Sequence, residues 1–196
     1  MSTGDRRLVI VGGSNGAGKS SVGSAYAQSE LGVAPLDPDL ISAGFRSTDR
    51  PWHADSINLL GVIETERRVW QAVAESRSVG VETVLSTDKY HAVMQAAASR
   101  FERHLIYVGL RTPDEAVERV RQRVAKGGHD VPEEKIRSRW KRSYALAVLM
   151  LEIVDVAVIF SNSGLSPTVV ATKSARDGVV LHDQEALPEL TRLLNR

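Results

Sequence analysis

The stretch "VIVGGSNGAGKSS" (Val9–Ser21) places a glycine-rich loop directly after a short apolar run near the start of the chain. From Gly13 to Ser20 it matches G-x-x-x-x-G-K-[ST], a pattern that in phosphate-binding loops joins a strand to a helix. The glycines let backbone N–H groups surround a phosphate, and the helix that follows adds the positive end of its dipole. The stretch therefore predicts a nucleotide-phosphate site; the alternative is a glycine-rich turn that holds no ligand.

The residue types inside the loop predict separate roles. We expect Lys19 to reach the β and γ phosphates of a nucleotide and the Ser20 hydroxyl to ligate Mg²⁺. The other residues predicted to bind the nucleotide are Gly13, Ser14, Asn15, Gly16, Ala17, Gly18 and Ser21.

Composition limits the classes of protein that the chain can represent. Among 196 residues, 42% are hydrophobic, and 25 Lys and Arg nearly balance 24 Asp and Glu. A net charge of +1 does not indicate bulk binding to nucleic acid or to an anionic membrane. The absence of cysteine excludes disulfides and thiolate chemistry. The apolar start Leu8–Val11 is too short for a signal peptide, and Glu152 and Asp155 interrupt the longest apolar stretch, so we expect a cytoplasmic protein without a membrane span.

Apolar runs alternate with longer amphipathic segments along the whole chain, which indicates one domain over residues 1–196. Continuous apolar strands separated by helices are typical of a parallel sheet covered on both faces. With the phosphate loop, this rhythm predicts an α/β fold: a three-layer, nucleotide kinase-like P-loop NTPase sandwich with a mainly parallel central sheet. The predicted strands are Leu8–Val11, Val33–Leu36, Val79–Val84, His104–Leu110, Val154–Phe160 and Thr168–Ala171. The strand Thr168–Ala171 is predicted to form a hairpin with Val179–Leu181. The predicted helices include about Lys19–Ser29, about Ala54–Ser76 and a last one from about Pro188.

A phosphate loop by itself does not define a reaction, because GTPases, motor ATPases and small-molecule kinases share it. The chain has no D-x-x-G switch and no Asn-Lys pair to read guanine, and the strand "HLIYVGL" (His104–Leu110) carries no acid. What remains is a kinase of small acceptors. A binding module that engages a partner without transferring phosphate, or a plain ATPase, stays open as an alternative.

Three acids are candidates for the acceptor side. Asp39 in "LDPDLI" (Leu36–Ile41) follows a strand, where ligands of open α/β sheets bind, and is the predicted catalytic base. For Asp37 we favour a cap or turn role. Glu66 lies in the apolar stripe Val62, Ile63, Val69, Trp70 and Val73, so we expect it to face inward, either as a buried structural acid or as a ligand contact. Glu82 ends a strand and, with Thr83 and Ser86, is predicted to bind a polar acceptor.

Two arginine-bearing helices form a predicted lid over residues 112–142. The first begins at the capping box Thr112–Glu115, ends at Gly127 and Gly128, and carries Arg119 and Arg123 on one face. The second carries Arg137, Arg139, Lys141 and Arg142 around an apolar stripe. We expect closure of this lid to bring guanidinium groups to the phosphates. His129, between the helices, is either a phosphate or acceptor contact or a polar surface residue.

Taken in order, six segments resemble the zeta-toxin family of P-loop kinases over nearly the whole chain. They are "GGSNGAGKSS", "LDPDLI", "ETVLST", "YVGL", "RVRQRVAKGGHDVPEEKIRSRW" and "DVAVIFSNSG", and the run G-G-H-D-V-P within the fifth is the most specific. The resemblance implies an enzyme that uses Mg-ATP to phosphorylate the sugar of UDP-N-acetylglucosamine. It also implies a small antitoxin protein as a partner, because such a protein holds plasmid-encoded members inactive.

By position, the resemblance implies roles for particular residues. Lys19 and Ser20 become the phosphate and magnesium residues, Asp39 the general base, and Glu66 and Glu82 the carboxylates of the acceptor site. Arg123 resembles the first lid arginine, and Asn162 lies where related kinases contact adenine. Where plasmid toxins have a second lid arginine, this chain has His129, so the second cationic role is open among His129, Arg119 and Arg137. The acceptor is open too, because another small hydroxylated molecule, such as a nucleoside, a sugar acid or an antibiotic, would use the same loop and base.

Overall fold

The computed structural model describes residues 6–46, 53–128 and 130–196, and it contains a seven-stranded sheet in the order β2-β3-β1-β4-β5-β6-β7. Strands β1 to β5 run parallel, whereas β6 and β7 are antiparallel additions at one edge. This arrangement confirms the predicted α/β class with a mainly parallel sheet. The strand bounds are β1 Arg7–Gly12, β2 Pro35–Leu36, β3 Val79–Thr83, β4 Glu102–Gly109, β5 Val156–Ser161, β6 Thr168–Ser174 and β7 Gly178–Leu181.

Helices fill the connections between strands. Their bounds are α1 Ala25–Leu31, α2 Pro38–Arg46, α3 Ala54–Ala74, α4 His91–Ala96, α5 Pro113–Ala125, α6 Glu133–Ile153 and α7 Pro188–Leu194. The predicted N-cap of α5 is present, since Thr112 Oγ1 accepts a hydrogen bond from Glu115 N at 3.2 Å, while the Glu115 carboxylate accepts one from Ser163 Oγ. The helix expected from Lys19 begins instead as a π-helical segment, Lys19–Ser24, before α1 continues it. Helices α2 and α4 were not predicted from the sequence.

The two faces of the sheet pack against different helices. Leu8 and Ile10 of β1 belong to the larger core, which contains buried residues of α3 to α7. Val9 and Val11, pointing the other way, pack with Ala27 of α1 in a smaller core. This alternation follows from the period of two along a strand. It produces three layers, with the phosphate loop emerging at the carboxyl edge of the sheet.

The buried face of α3 matches the predicted stripe in part, since Val69 and Val73 are buried as expected. Ile63 and Trp70 are 53% and 44% exposed, whereas Gly61 and Thr65 are buried. Small residues turn inward here because α3 packs closely on α2, where a Cβ at Gly61 would approach Ser42 Oγ to 1.9 Å. Glu66 is half-buried, so it lies at the border of the buried face of α3 rather than at its centre.

The two helices of the predicted lid are packed into the main core. Val117 and Val120 of α5, and Ile136 and Trp140 of α6, belong to the larger hydrophobic cluster. Moving either helix away would expose this apolar surface to water, which costs free energy. Closure of a lid over residues 112–142 stays a prediction.

Within the described part of the chain, no helix combines the length and apolar character needed to cross a membrane.

Candidate active site

The phosphate loop is held tightly between β1 and the π-helical segment. Gly16 has φ of 77°, and a Cβ there would lie 2.9 Å from the backbone oxygen of Ala116 on α5. Gly18 has φ of 89°, and its Cβ would lie 2.5 Å from the side-chain nitrogen of Asn162. Both conformations belong to the left-handed region, which glycine adopts without a steric penalty. The glycines therefore allow neighbouring elements to contact the loop closely.

Asn162, predicted to contact adenine, holds the loop from the end of β5. Its side-chain nitrogen donates a hydrogen bond to the carbonyl oxygen of Ala17 at 2.8 Å. The guanidinium of Arg119 donates to the backbone oxygen of Asn162. Arg119, one of the open candidates for a second phosphate cation, is therefore engaged by this backbone oxygen. The adenine contact stays a prediction.

Lys19 lies at the centre of several charged side chains. Its Nζ donates to the backbone oxygen of Ser14 at 3.3 Å. Burial lowers the pKa of Lys19 below its ordinary value of 10.5, and the nearby charge of Arg123 acts in the same direction. Glu82 and Asp39 act in the opposite direction and raise that pKa. The charges of Asp39, Glu82 and Arg123 therefore all influence the pKa of Lys19.

Glu82 lies near the end of β3, as predicted, and makes contacts that the sequence did not predict. Its carboxylate, only 9% exposed, accepts hydrogen bonds from the hydroxyls of Ser20 at 3.0 Å and Ser24 at 2.9 Å. The contact follows from the sheet, because β3 lies beside β1 with Glu82 in register with Val11. Glu82 thus contacts the predicted magnesium residue directly, rather than facing only the acceptor side.

The oxygen donors around Ser20 match what magnesium requires. Mg²⁺ prefers hard oxygen ligands and commonly takes one or two from protein, the rest coming from phosphates and water. Ser20 and Glu82 supply a hydroxyl and a carboxylate, and Asp39 lies within electrostatic range of Lys19. No cluster of three or more His, Cys, Asp or Glu suited to a metal occurs among the described residues. The residues present fit a magnesium ion that arrives with the nucleotide.

Asp37 and Asp39 have different positions at the start of α2. Asp37 Oδ1 accepts a hydrogen bond from the backbone N–H of Asp39 at 2.8 Å, as a capping residue does. The Asp39 side chain is exposed in the first turn of α2. This arrangement leaves the Asp39 carboxylate accessible at the carboxyl edge of the sheet.

The side chains predicted to bind the acceptor do not form one continuous group. Glu66 is 37% exposed and forms an ion pair with Lys89, the Nζ–Oε1 distance being 2.9 Å. Thr83 Oγ1 accepts a hydrogen bond from Leu85 N at 3.2 Å, and Ser86 is half-buried in the same turn. Leu85 has φ of 51°, which for a residue with a Cβ costs about 1–3 kcal/mol. The turn after β3 is thus strained beside the site.

The arginines of α5 and α6 divide between ion pairs and the phosphate loop. Arg137 pairs with Asp114 at 2.6 Å and with Glu133 at 2.8 Å. Arg139 instead points toward the loop, its Nη1 lying 3.4 Å from Asn15 Oδ1. Sequence reasoning did not single out Arg139 as a site residue. The sequence feature that could have identified Arg139 is its position between Ile136 and Trp140 of the buried stripe, because this position predicts a half-buried side chain.

The predicted second lid residue, His129, lies outside the described residues. Arg123, the predicted first lid arginine, lines a cavity on α5 together with Arg119, Lys126 and Gly128. The structure thus places the two α5 arginines on one face, as their spacing predicts.

Comparisons with known proteins agree with this geometry. The model of the Zeta toxin family matches residues 2–185. A chain of the PezAT chromosomal toxin-antitoxin system of Streptococcus pneumoniae is 13% identical, with a TM-score of 0.63 over 99% of this chain and 85% of that one. Shikimate kinase from Acinetobacter baumannii is 17% identical, with a TM-score of 0.50 over 82% of this chain and 84% of that one. At these identities the two structures show the fold. No curated protein matches the sequence.

Proposed function

Since the chain belongs to the Zeta toxin family, we propose that it transfers the γ-phosphate of Mg-ATP to a hydroxyl of a sugar nucleotide such as UDP-N-acetylglucosamine. Membership in this family makes the chain a phosphotransferase that uses a nucleotide. The acceptor, the metal and the roles of individual residues belong to the proposal.

One observation carries the proposal, namely that Lys19 is surrounded by charges suited to phosphoryl transfer. Glu82, Asp39 and Arg123 all act electrostatically on Lys19. They come from β3, α2 and α5, three separate elements of the fold. In phosphoryl transfer the protein mainly positions the reactants and neutralises developing charge, so this convergence is what the reaction needs.

Each side chain then has a distinct task. Asp39 accepts the proton of the attacking hydroxyl, because its carboxylate is exposed at the mouth of the site. Lys19 and Arg123 hold the oxygens of the transferred group. Glu82 orients the Ser20 hydroxyl by accepting its hydrogen bond. Ser20 and Glu82 would hold Mg²⁺, which would supply positive charge to neutralise the nucleotide phosphates.

The acceptor side is proposed from fewer contacts. Glu66 and the turn that carries Thr83 and Ser86 border the same edge of the sheet as Asp39. Lys89, paired with Glu66, adds a cation within this region. A sugar nucleotide offers both hydroxyls and a diphosphate, which such a mixture of carboxylates, hydroxyls and a cation can bind.

A small antitoxin protein is the proposed regulator. The support is membership in the family, together with the origin of the Streptococcus pneumoniae chain in a toxin-antitoxin system.

The test is a transfer assay with Mg-ATP, UDP-N-acetylglucosamine and a panel of nucleosides, sugars and antibiotics, read by mass spectrometry. We expect the sugar nucleotide to gain one phosphate. Asp39→Asn should abolish the gain while leaving ATP affinity unchanged. Asp37→Asn is the matched control, because asparagine caps helices as well as aspartate does and should keep the activity.

Other outcomes change the proposal in defined ways. A phosphate on a different acceptor keeps the kinase and rejects the sugar nucleotide. ATP binding without transfer to any acceptor indicates a nucleotide-binding module, and phosphate release that no acceptor increases indicates an ATPase.

A further inference from the structure

We propose that Arg139 of α6 is a second cation of the phosphate site, acting with Arg123 of α5 on the γ-phosphoryl group. The inference rests on the phosphoryl transfer proposed above and identifies a catalytic residue for it.

The position of Arg139 is determined by buried neighbours on α6. Ile136 and Trp140 are 2% and 8% exposed, which fixes this face of the helix against the core. The indole nitrogen of Trp140 donates to the backbone oxygen of Leu110 at 3.0 Å, which ties α6 to the end of β4. Because its helix is anchored in this way, the half-buried Arg139 side chain extends toward the phosphate loop at Asn15.

The partner of Arg139 is neutral. Its Nη1 lies 3.4 Å from the amide oxygen of Asn15, and in the described part of the chain no carboxylate lies within 4 Å of its guanidinium. The neighbouring arginines differ: Arg137 is held by two carboxylates, and Arg121 pairs with Glu133 at 2.9 Å. Arg139 thus keeps an uncompensated charge beside a loop that binds phosphate.

A phosphate oxygen is a better acceptor for this guanidinium than an amide oxygen. Hydrogen bonds between charged partners are shorter and roughly twice as strong as neutral ones. A bound nucleotide would therefore draw Arg139 from Asn15 onto its terminal phosphate. From opposite helices, Arg123 and Arg139 then flank the group that is transferred.

The transfer step can be written with all bonds and protons accounted for and with Arg139 in the same protonation state throughout. The acceptor oxygen forms a bond to the γ-phosphorus, and the bond from that phosphorus to the β–γ bridging oxygen breaks, so ADP leaves with that electron pair. The proton of the acceptor hydroxyl goes to Asp39. Arg139 keeps its protons throughout and neutralises charge on the peripheral oxygens, as an arginine supplied in cis does in other phosphoryl transfers.

Arg139→Gln tests this role, with Arg142→Gln as the matched control on an exposed position of the same helix. With the acceptor found in the transfer panel, Arg139→Gln should lower kcat by about 100-fold or more. The KM for the acceptor and the melting temperature should stay near the wild-type values. Arg139→Lys should recover only part of kcat, since an ammonium lacks the planar fork. Arg142→Gln should leave kcat unchanged.

A binding measurement tests the same residue without turnover. Calorimetry with a non-hydrolysable ATP analogue and with ADP, both with Mg²⁺, measures how much the γ-phosphate adds to affinity. Arg139→Gln should reduce this analogue-to-ADP ratio by about tenfold. A variant with wild-type kcat and a wild-type ratio overturns the inference, as does an equal loss in Arg142→Gln.

The two proposals fail in different ways. A wild-type chain that binds ATP but transfers to no acceptor refutes the proposed function, and the analogue-to-ADP ratio still decides whether Arg139 contacts the terminal phosphate. Transfer by the wild type with no effect of Arg139→Gln refutes only the role of Arg139.

Discussion

Replacing Gly61 by alanine should disturb the candidate base without touching the nucleotide. Gly61 lies where α3 crosses α2, and a Cβ there would stand 1.9 Å from Ser42 Oγ and 2.8 Å from the backbone oxygen of Pro38. Ser42 is 2% exposed, and its hydroxyl donates to that same Pro38 oxygen at 2.8 Å. The backbone oxygen cannot rotate away, so α2 must shift, and Asp39 is the next residue after Pro38.

The expected change in the free energy of unfolding combines two destabilising contributions and one stabilising contribution. Overpacking a buried contact costs about 1–3 kcal/mol, and losing the Ser42 hydrogen bond costs about 1 kcal/mol more. Alanine in place of glycine recovers about 1 kcal/mol of helix propensity. The net loss of about 1–3 kcal/mol should lower the melting temperature by roughly 2–12 °C for a chain of this size. Displacing the base by about 1 Å can slow transfer up to 100-fold.

The assay compares thermal unfolding, ATP affinity and transfer rate for Gly61→Ala and Gly44→Ala. Gly44 is on α2 as well, but its Cβ would meet no atom within 4 Å among the residues that the structure describes. We expect Gly44→Ala to keep or raise the melting temperature and to keep the transfer rate. ATP affinity should be unchanged in both variants, because the phosphate loop follows β1. A Gly61→Ala protein with wild-type melting temperature and transfer rate would refute the reasoning.

Two further predictions concern titratable groups. Phosphate binding needs the charged form of Lys19, and burial lowers the pKa of this lysine below 10.5. Mg-ATP affinity should therefore fall as pH rises through that lowered pKa. Calorimetry at several pH values should show this fall for the wild type and not for Lys19→Met. Burial alone would raise the pKa of the Asp155 carboxyl, but its bonds to Arg103 outweigh this and hold it below 3.8. Asp155 therefore stabilises the fold above that pH, and Asp155→Asn should lower the free energy of unfolding at pH 7 by about 1 kcal/mol, after allowance for its partial exposure. In urea titrations this difference should disappear as pH falls through the lowered pKa, and a difference that persists in acid would contradict the prediction.

Short sequence patterns were sufficient to predict much of the fold. The phosphate loop, the capping box at Thr112 and the apolar strands are short patterns whose meaning depends on residues a few positions apart. The structure contains the phosphate loop, the Thr112 cap and the strands, and the α/β class and family follow. Helix α2 escaped prediction because its first turn reads as a turn around Pro38, and the cap from Asp37 becomes visible only in three dimensions.

Contacts across the chain could not be predicted in the same way. The stripe on α3 was predicted correctly at Val69 and Val73 but not at Ile63 and Trp70. The spacing of apolar residues does not reveal that Gly61 lets α2 pack closely, which turns the small-residue face inward. The contact between Glu82 and Ser20 depends on β3 pairing beside β1 in one particular register.

The amino-acid sequence by itself determined the phosphate loop, the order of strands and helices, the family, and the residue types available for phosphoryl transfer. Only the tertiary structure decided which of those residues meet. It placed Glu82 on Ser20, tied Arg137 to carboxylates, and directed Arg139 to the phosphate loop. The physical reason is the distance along the chain over which each interaction acts. Helix and turn patterns depend on residues a few positions apart, whereas the partners in a site depend on strand register and on packing between distant elements.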